Sequence, residues 1–176
     1  MAGRLEGQRA LVFIEDGYED LEFWVTAMRL REEGADVTVA GPKAKSEYTG
    51  KNGLLATSDE AAADVSADEF DIVVVPGGWA PDKLRRYEAV TALVRAAYDQ
   101  DKTVGLICHA GLVGISAGIV EGKRATGSLG IKDDLVNAGA TWVDEPAFSD
   151  GSIVWGRVVD DIPAFCRELV AHAASR

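Results

Sequence analysis

Cys108 and His109 stand side by side at the end of an apolar run, and a thiol next to an imidazole is a pair suited to nucleophilic catalysis. The imidazole takes the proton and the sulfur attacks a carbonyl. The run before them, Thr103 to Ile107, has the β-branched and aliphatic content of a strand buried on both faces. The segment after them, Ala110 to Ala117, is small and apolar enough for a buried helix. A strand that turns sharply into a helix pushes the turn residue out at the carboxyl edge of the sheet, on strained backbone. The helix start adds free N–H groups and a positive dipole end, expected to lower the thiol pKa and to hold an oxyanion. The competing reading is an inert buried thiol. Strand end, adjacent imidazole and small following residues together favour the nucleophile.

Cys166 reads differently. It shares a helical stripe with Ile162, Phe165, Leu169, Val170 and Ala173, so it belongs to a core face. The two cysteines are expected as free thiols in a reducing cytosol. His109 and His172 are the only histidines, and no grouping resembles a metal site. His172, near the polar end of the last helix, is expected to be solvated or packed.

The chain has 176 residues, 47% of them hydrophobic, and shows no linker, repeat or low-complexity tract, which predicts one domain over 1–176 with a sizeable core. A formal net charge of -11 and the lack of a long Lys/Arg run argue against nucleic acid or an anionic membrane as partners. No apolar stretch has the length of a membrane span and the start lacks the pattern of a secretory signal, so a cytoplasmic protein is expected.

Along the chain, Arg9 to Ile14 reads as a strand and the acidic stretch after it as the start of a helix running to about Glu33, with Leu21, Val25 and Met28 on one face. Asp36 to Ala40 is a second strand, giving the strand–helix–strand order of a parallel sheet. Residues 43–60 read as a hairpin or loop excursion. Ile72 to Val75 is a buried strand, and the Pro76-Gly77-Gly78 that ends it lets backbone approach something closely. Pro81 suits a helix start, and Val90, Leu93, Val94 and Ala97 make the stripe of the next helix. After the elbow come a short strand near Lys123 to Thr126, a helix over Ile131 to Ala138, a hairpin turn at Asp150-Gly151 and the final helix. This alternation predicts an α/β sandwich with ligands at the carboxyl edge of its sheet.

With VVVPGGWAPDKL, ICHAG and GIKDDLVNAGATWVDE in place, the chain resembles the ThiJ/PfpI superfamily, closest to the PfpI-type intracellular cysteine peptidases. The resemblance runs from the first strand to the last helix. It implies a flavodoxin-like three-layer sandwich with a mostly parallel central sheet and a nucleophile elbow. It implies a homo-oligomer, dimer or hexamer, with the site at a subunit contact, and chemistry without a cofactor. Carried over by position, Cys108 is the nucleophile, His109 its base, Glu22 the buried glutamate that hydrogen-bonds the sulfur, and Asp82 the acid that orients a neighbouring subunit's histidine. Gly78 and the N–H of His109 correspond to the oxyanion hole. Glu19, one helical step from Glu22, shares its face, and with Trp79 and Ser128 it is expected on the substrate side. Three positions depart from the family pattern: Ala110-Gly111 where Gly or Gly-Pro follows the histidine, Ser128 where many members place a tyrosine, and Arg157-Val158-Val159 for Arg-Xaa-Pro.

The leading expectation is a cysteine-dependent hydrolase of the PfpI type acting on a peptide or small molecule. The alternative is a cofactor-independent glyoxalase or deglycase acting on 2-oxoaldehydes of the methylglyoxal kind, since the same groups can add to an aldehyde and move a proton between adjacent carbons. A second alternative is a redox-sensing stress protein in which Cys108 is oxidised.

Overall fold

The computed structural model describes residues 3–176. The opening unit is β1 (Arg9–Phe13), α1 (Asp20–Glu32) and β2 (Asp36–Gly41), followed by the hairpin β3 (Glu47–Thr49) and β4 (Leu55–Thr57) and a short β5 (Glu60–Ala61). Next come β6 (Ile72–Val75), α2 (Ala80–Leu84), α3 (Glu88–Asp99), β7 (Thr103–Ile107) and α4 (Gly111–Ser116). The last third holds β8 (Arg124–Ala125), α5 (Lys132–Asn137), β9 (Thr141–Trp142), β10 (Ala147–Asp150), β11 (Ile153–Gly156) and α6 (Ile162–Ala173).

Seven strands form one sheet in the order β10-β11-β7-β6-β1-β2-β5. Every pairing in it is parallel except β10 with β11, which the turn at Gly151 (φ +60°) folds back as expected. Helices α1 and α6 pack on one face, and α2, α3 and α4 on the other. The flavodoxin-like three-layer α/β sandwich read from the sequence is the fold found. Strand β7 is buried along its whole length, as a strand covered by helices on both faces must be. At Gly105 in its middle, an added Cβ would lie 3.1 Å from Leu169 and 3.2 Å from Phe165. The glycine lets α6 settle closely on the centre of the sheet.

The apolar stripe of α1 is not its buried face. Leu21, Val25 and Met28, the apolar stripe expected on α1, are 49%, 39% and 58% exposed, and the helix instead buries Glu22, Phe23, Thr26, Ala27 and Leu30. Hydrophobic spacing alone chose the wrong side because the buried side carries polar groups that find partners: Glu22 in the site and Thr26, whose hydroxyl lies 3.8 Å from the Cys166 sulfur. The segment expected as a helix from Ala110 begins instead as a 3-10 turn, Cys108–Ala110, and only then becomes the six-residue α4.

Both cysteines are free, and Cys166 is 4% exposed on the inner stripe of α6. Truncating it leaves a small cavity against Thr26. Cys166→Ala should cost ~1–2 kcal/mol in urea unfolding while leaving the alkylation rate of Cys108 as it was. A mutant of full stability with a slowed Cys108 would reverse the two assignments.

Candidate active site

The site is assembled at the carboxyl ends of β1, β6 and β7, adjacent strands in the sheet. From β7 the chain passes into Cys108 at φ +62°, a left-handed backbone that a side chain with a Cβ adopts at a cost of order 1–3 kcal/mol. That strained elbow sets Sγ 3.3 Å from Nδ1 of His109, the next residue. The loop after β8 braces the turn: the Ser128 N–H donates to the carbonyl of Cys108 at 3.1 Å. Cys108 is 8% exposed, so the sulfur sits in a recess rather than on an open surface.

From β6 come Gly77 and Gly78. A Cβ on Gly77 would lie 2.5 Å from the Glu22 carboxyl and 2.6 Å from the Cys108 Cβ, so only glycine lets these three groups meet. Gly78, at φ +81°, bridges Tyr18 in antiparallel fashion and has no room for a side chain against Glu19 N and Gly17 O. The backbone N–H groups of Gly78 and His109 both act on the sulfur, favouring its charged form. They are the pair expected as an oxyanion hole, and both face the sulfur.

From β1 comes the start of α1. Glu19 caps the helix, its Oε2 accepting from the Glu22 N–H at 2.8 Å, while Oε1 lies 3.4 Å from the Asn52 amide nitrogen. Its carboxylate is therefore engaged in supporting the helix rather than free for substrate. Glu22 is fully buried; Oε2 accepts from Gly77 N–H at 2.7 Å and Oε1 has no hydrogen-bond partner among the described residues. Burial lifts its carboxyl to about 7, with the Gly77 N–H pulling the other way and Glu19 adding to the rise.

The expected low thiol pKa is not what the structure gives. Burial, and next to it the Glu22 carboxylate, push the Cys108 thiol up to about 12, against the Gly78 and His109 N–H groups. His109 moves the useful way. Burial and the Lys51 charge lower its pKa, so near neutrality the imidazole is unprotonated and can accept the thiol proton.

The other expected residues are placed as follows. Trp79 is 66% exposed, its ring lying over Gly17 at the rim. Ser128 and the imidazole both border Gly130: the position of a Cβ there is 3.4 Å from His109 Nε2 and 3.7 Å from Ser128 Oγ. Beyond Ser128 a cavity of about 320 Å³ runs between Gly127, Leu129 and Val158, walled by Arg157, which is paired with Asp144 and Asp161. Asp82 is exposed and pairs with Arg86 on its own chain, not with His109. Lys51, which the sequence reading passed over, acts on both Glu22 and His109. No cluster of His, Cys, Asp and Glu among the described residues is arranged to hold a metal ion, and no described helix is long and apolar enough to cross a membrane.

Because the folded protein holds the Glu22 proton more tightly than the unfolded chain, whose carboxyl titrates near 4.5, stability should fall as pH rises from there through about 7. Glu22→Gln should flatten that fall in urea midpoints. The same change removes the charge that opposes the thiolate, so iodoacetamide should label Cys108 at least tenfold faster at about pH 8. Unchanged or slower labelling would show that Glu22 does not govern the sulfur.

Comparison with known proteins gives the chain's family. A model described as the DJ-1/PfpI family matches residues 8–172. A deglycase of Pyrococcus abyssi is 41% identical over 162 residues, 92% of this chain and 97% of its own length. A Bacillus subtilis protein, YraA, whose name proposes a cysteine protease, is 35% identical over 92% of this chain and 95% of its own. The crystal structure of Drosophila melanogaster DJ-1beta superposes with a TM-score of 0.89 at 28% identity, covering 100% of this chain and 92% of that one. A family match over nearly the whole sequence, joined to the Cys-His elbow beneath a Gly-Gly turn, places the chain in the DJ-1/PfpI family.

Proposed function

We propose that the protein is a cofactor-independent enzyme of the glyoxalase and deglycase type, acting through Cys108 on a 2-oxoaldehyde or on its adduct with an amine. The observation that carries this reading is Glu22: a buried carboxyl poised near 7, touching the Gly77 turn and acting on the Cys108 sulfur. Hydrolysis of an amide needs a nucleophile, a base and an oxyanion hole. Moving a hydrogen between two adjacent carbons needs, in addition, a group that readily gives and takes a proton inside the pocket. Relatives 38–41% identical over 92% of this chain are named deglycases, which supports the same choice.

In the proposed sequence Cys108 Sγ adds to the aldehyde carbon as its proton passes to His109 Nδ1. A C–S bond forms, and the carbonyl electron pair becomes an oxyanion facing the N–H groups of Gly78 and His109. Proton return from His109 gives a hemithioacetal. Glu22 as carboxylate takes the hydrogen from that carbon and, as acid, delivers a proton to the neighbouring carbon through an enediol. The former aldehyde carbon becomes a thioester carbonyl and the ketone an alcohol. Water cleaves the thioester, releasing a 2-hydroxy acid and restoring the thiol. With an amine adduct the protonated amine leaves as the C–S bond forms, and later steps are the same. Each oxyanion donor is typically worth ~3 kcal/mol at such a centre. Trp79 and Ser128 border the recess in which the substrate would lie.

A cysteine hydrolase acting on peptides is the second reading, favoured by the name of the relative YraA and served by the same nucleophile and base. Redox sensing fits less well. Sensor cysteines are accessible and acidic, whereas Cys108 is buried and its thiol pKa is raised.

Wild-type protein should convert methylglyoxal to lactate and leave fluorogenic peptides intact, and Cys108→Ser should lose at least a thousandfold of that rate with an unchanged unfolding midpoint. Peptide cleavage without lactate formation would select the hydrolase.

The reading extends to assembly: Asp82 would accept the Nε2–H of His109 in a second copy of the chain. Asp82→Asn should then lower turnover about tenfold or more. Mixing Asp82→Asn with Cys108→Ala subunits should restore part of it, since each hybrid contact can hold one intact site. A fully active monomer by light scattering would end the proposal, leaving Asp82 as a surface ion-pair partner of little consequence.

A further inference from the structure

The tip of the β3–β4 hairpin, residues 50–54, is fastened to the start of α1 rather than standing in solvent. Gly17 N–H donates to Thr49 O at 2.8 Å, Lys51 N–H to Tyr18 O at 2.9 Å and the Tyr18 hydroxyl to Leu54 O at 2.6 Å. The buried carboxylate of Asp20 accepts from the N–H groups of Asn52 and Leu54, both at 2.8 Å. A Cβ at Gly50 would collide with that same carboxylate. On its other side Tyr18 bridges Gly78. Lys51, Tyr18 and Gly78 are thus successive neighbours across one strip of backbone, and Gly78 borders the sulfur.

This fastening fixes where the side chain of Lys51 begins, and that side chain is exposed, with no carboxylate at ion-pair distance among the described residues. Its charge nevertheless reaches the recess, lowering the pKa of both Glu22 and His109. An unpaired ammonium beside a recess whose other charged groups are acidic, in a chain of net charge -11, is a place where a small anion would gain most. The reaction proposed above, on which this inference rests, creates such an anion, because it turns a neutral aldehyde into a carboxylate.

We infer that Lys51, held at the mouth by the hairpin tip, is the carboxylate-binding residue of the site, taking the acid group of a short 2-hydroxy acid product. Neither the Cys-His pair nor the Gly-Gly turn supplies a cation there.

The test is binding of sodium lactate to the full chain carrying Cys108→Ala, followed by titration calorimetry at pH 7 and low salt, with propane-1,2-diol as the neutral isostere. Lactate should bind and the diol should not. Adding Lys51→Met should weaken lactate at least tenfold, and Lys51→Arg should recover most of the loss. In protein with Cys108 intact, Lys51→Met should relieve product inhibition by lactate to a similar extent. Lactate affinity unchanged by Lys51→Met, diol binding equal to lactate, or no lactate binding at all would overturn the inference. Because binding is read without the nucleophile, the two readings fail separately. Lysine-dependent lactate binding without methylglyoxal turnover would keep the anion site and discard the activity, and the reverse result would do the opposite.

Discussion

The carboxyl of Glu22 is tied by one oxygen to the amide of Gly77, while its other oxygen is buried without a hydrogen bond and its charge falls on the Cys108 sulfur. Two acidic groups so close, both withdrawn from water, cannot readily carry two negative charges near neutrality. This mutual repulsion, which keeps at least one of the two groups protonated near neutrality, is the constraint around which the site is built. It explains why Gly77 has no side chain, since any Cβ would part the two groups. The left-handed backbone of Cys108 sets its sulfur 3.3 Å from the His109 ring and within the field of the Glu22 carboxylate. A sulfur held as a thiol oxidises more slowly than a thiolate. The Glu22 proton, held with a pKa of about 7, is the one the proposed reaction would move.

The support for that pair comes from far along the chain. The start of α1 is anchored from below by Glu19, which caps it, and from the side by Asp20, whose buried carboxylate would be costly without the two hairpin N–H groups it accepts. The hairpin in return gains a fixed tip, although residues 50–54 carry too little apolar surface to pack on their own. Site and hairpin therefore stabilise each other: loosening Asp20 would free Lys51 and tilt the first turn that carries Glu22.

Much of this was legible in the sequence where the cause is local. Strands such as Ile72–Val75 and Thr103–Ile107 declare themselves by composition, and Cys108 declares itself by the abrupt change after Ile107. The motif stretches that carry the family resemblance are themselves the turns that build the site. What could not be read locally depends on partners thirty or more residues away. The thiol pKa was expected to fall because the helix start and His109 are sequence neighbours, whereas the dominant effects, burial and Glu22, come from the fold. The buried face of α1 was missed for the same reason: Glu22 and Thr26 look like surface residues until the Gly77 turn and Cys166 are brought against them. Lys51 left no signal at all, being one lysine in a polar loop whose position only the Asp20 contacts define.

The geometry of His109 also says what kind of help the site still needs. If Nδ1 is to accept from Cys108 Sγ at 3.3 Å, the neutral ring must carry its hydrogen on Nε2. Among the described residues no side chain or carbonyl accepts from Nε2 within hydrogen-bond distance, and Gly130, which lies beside it, offers no side chain. A ring with one nitrogen engaged and the other free can exchange tautomers, and the wrong tautomer presents a donor to a thiol that needs an acceptor. Gly130 and Ser128 border the space beside Nε2. A carboxylate entering that space from outside the chain's own fold would fix the tautomer and strengthen the base in one contact.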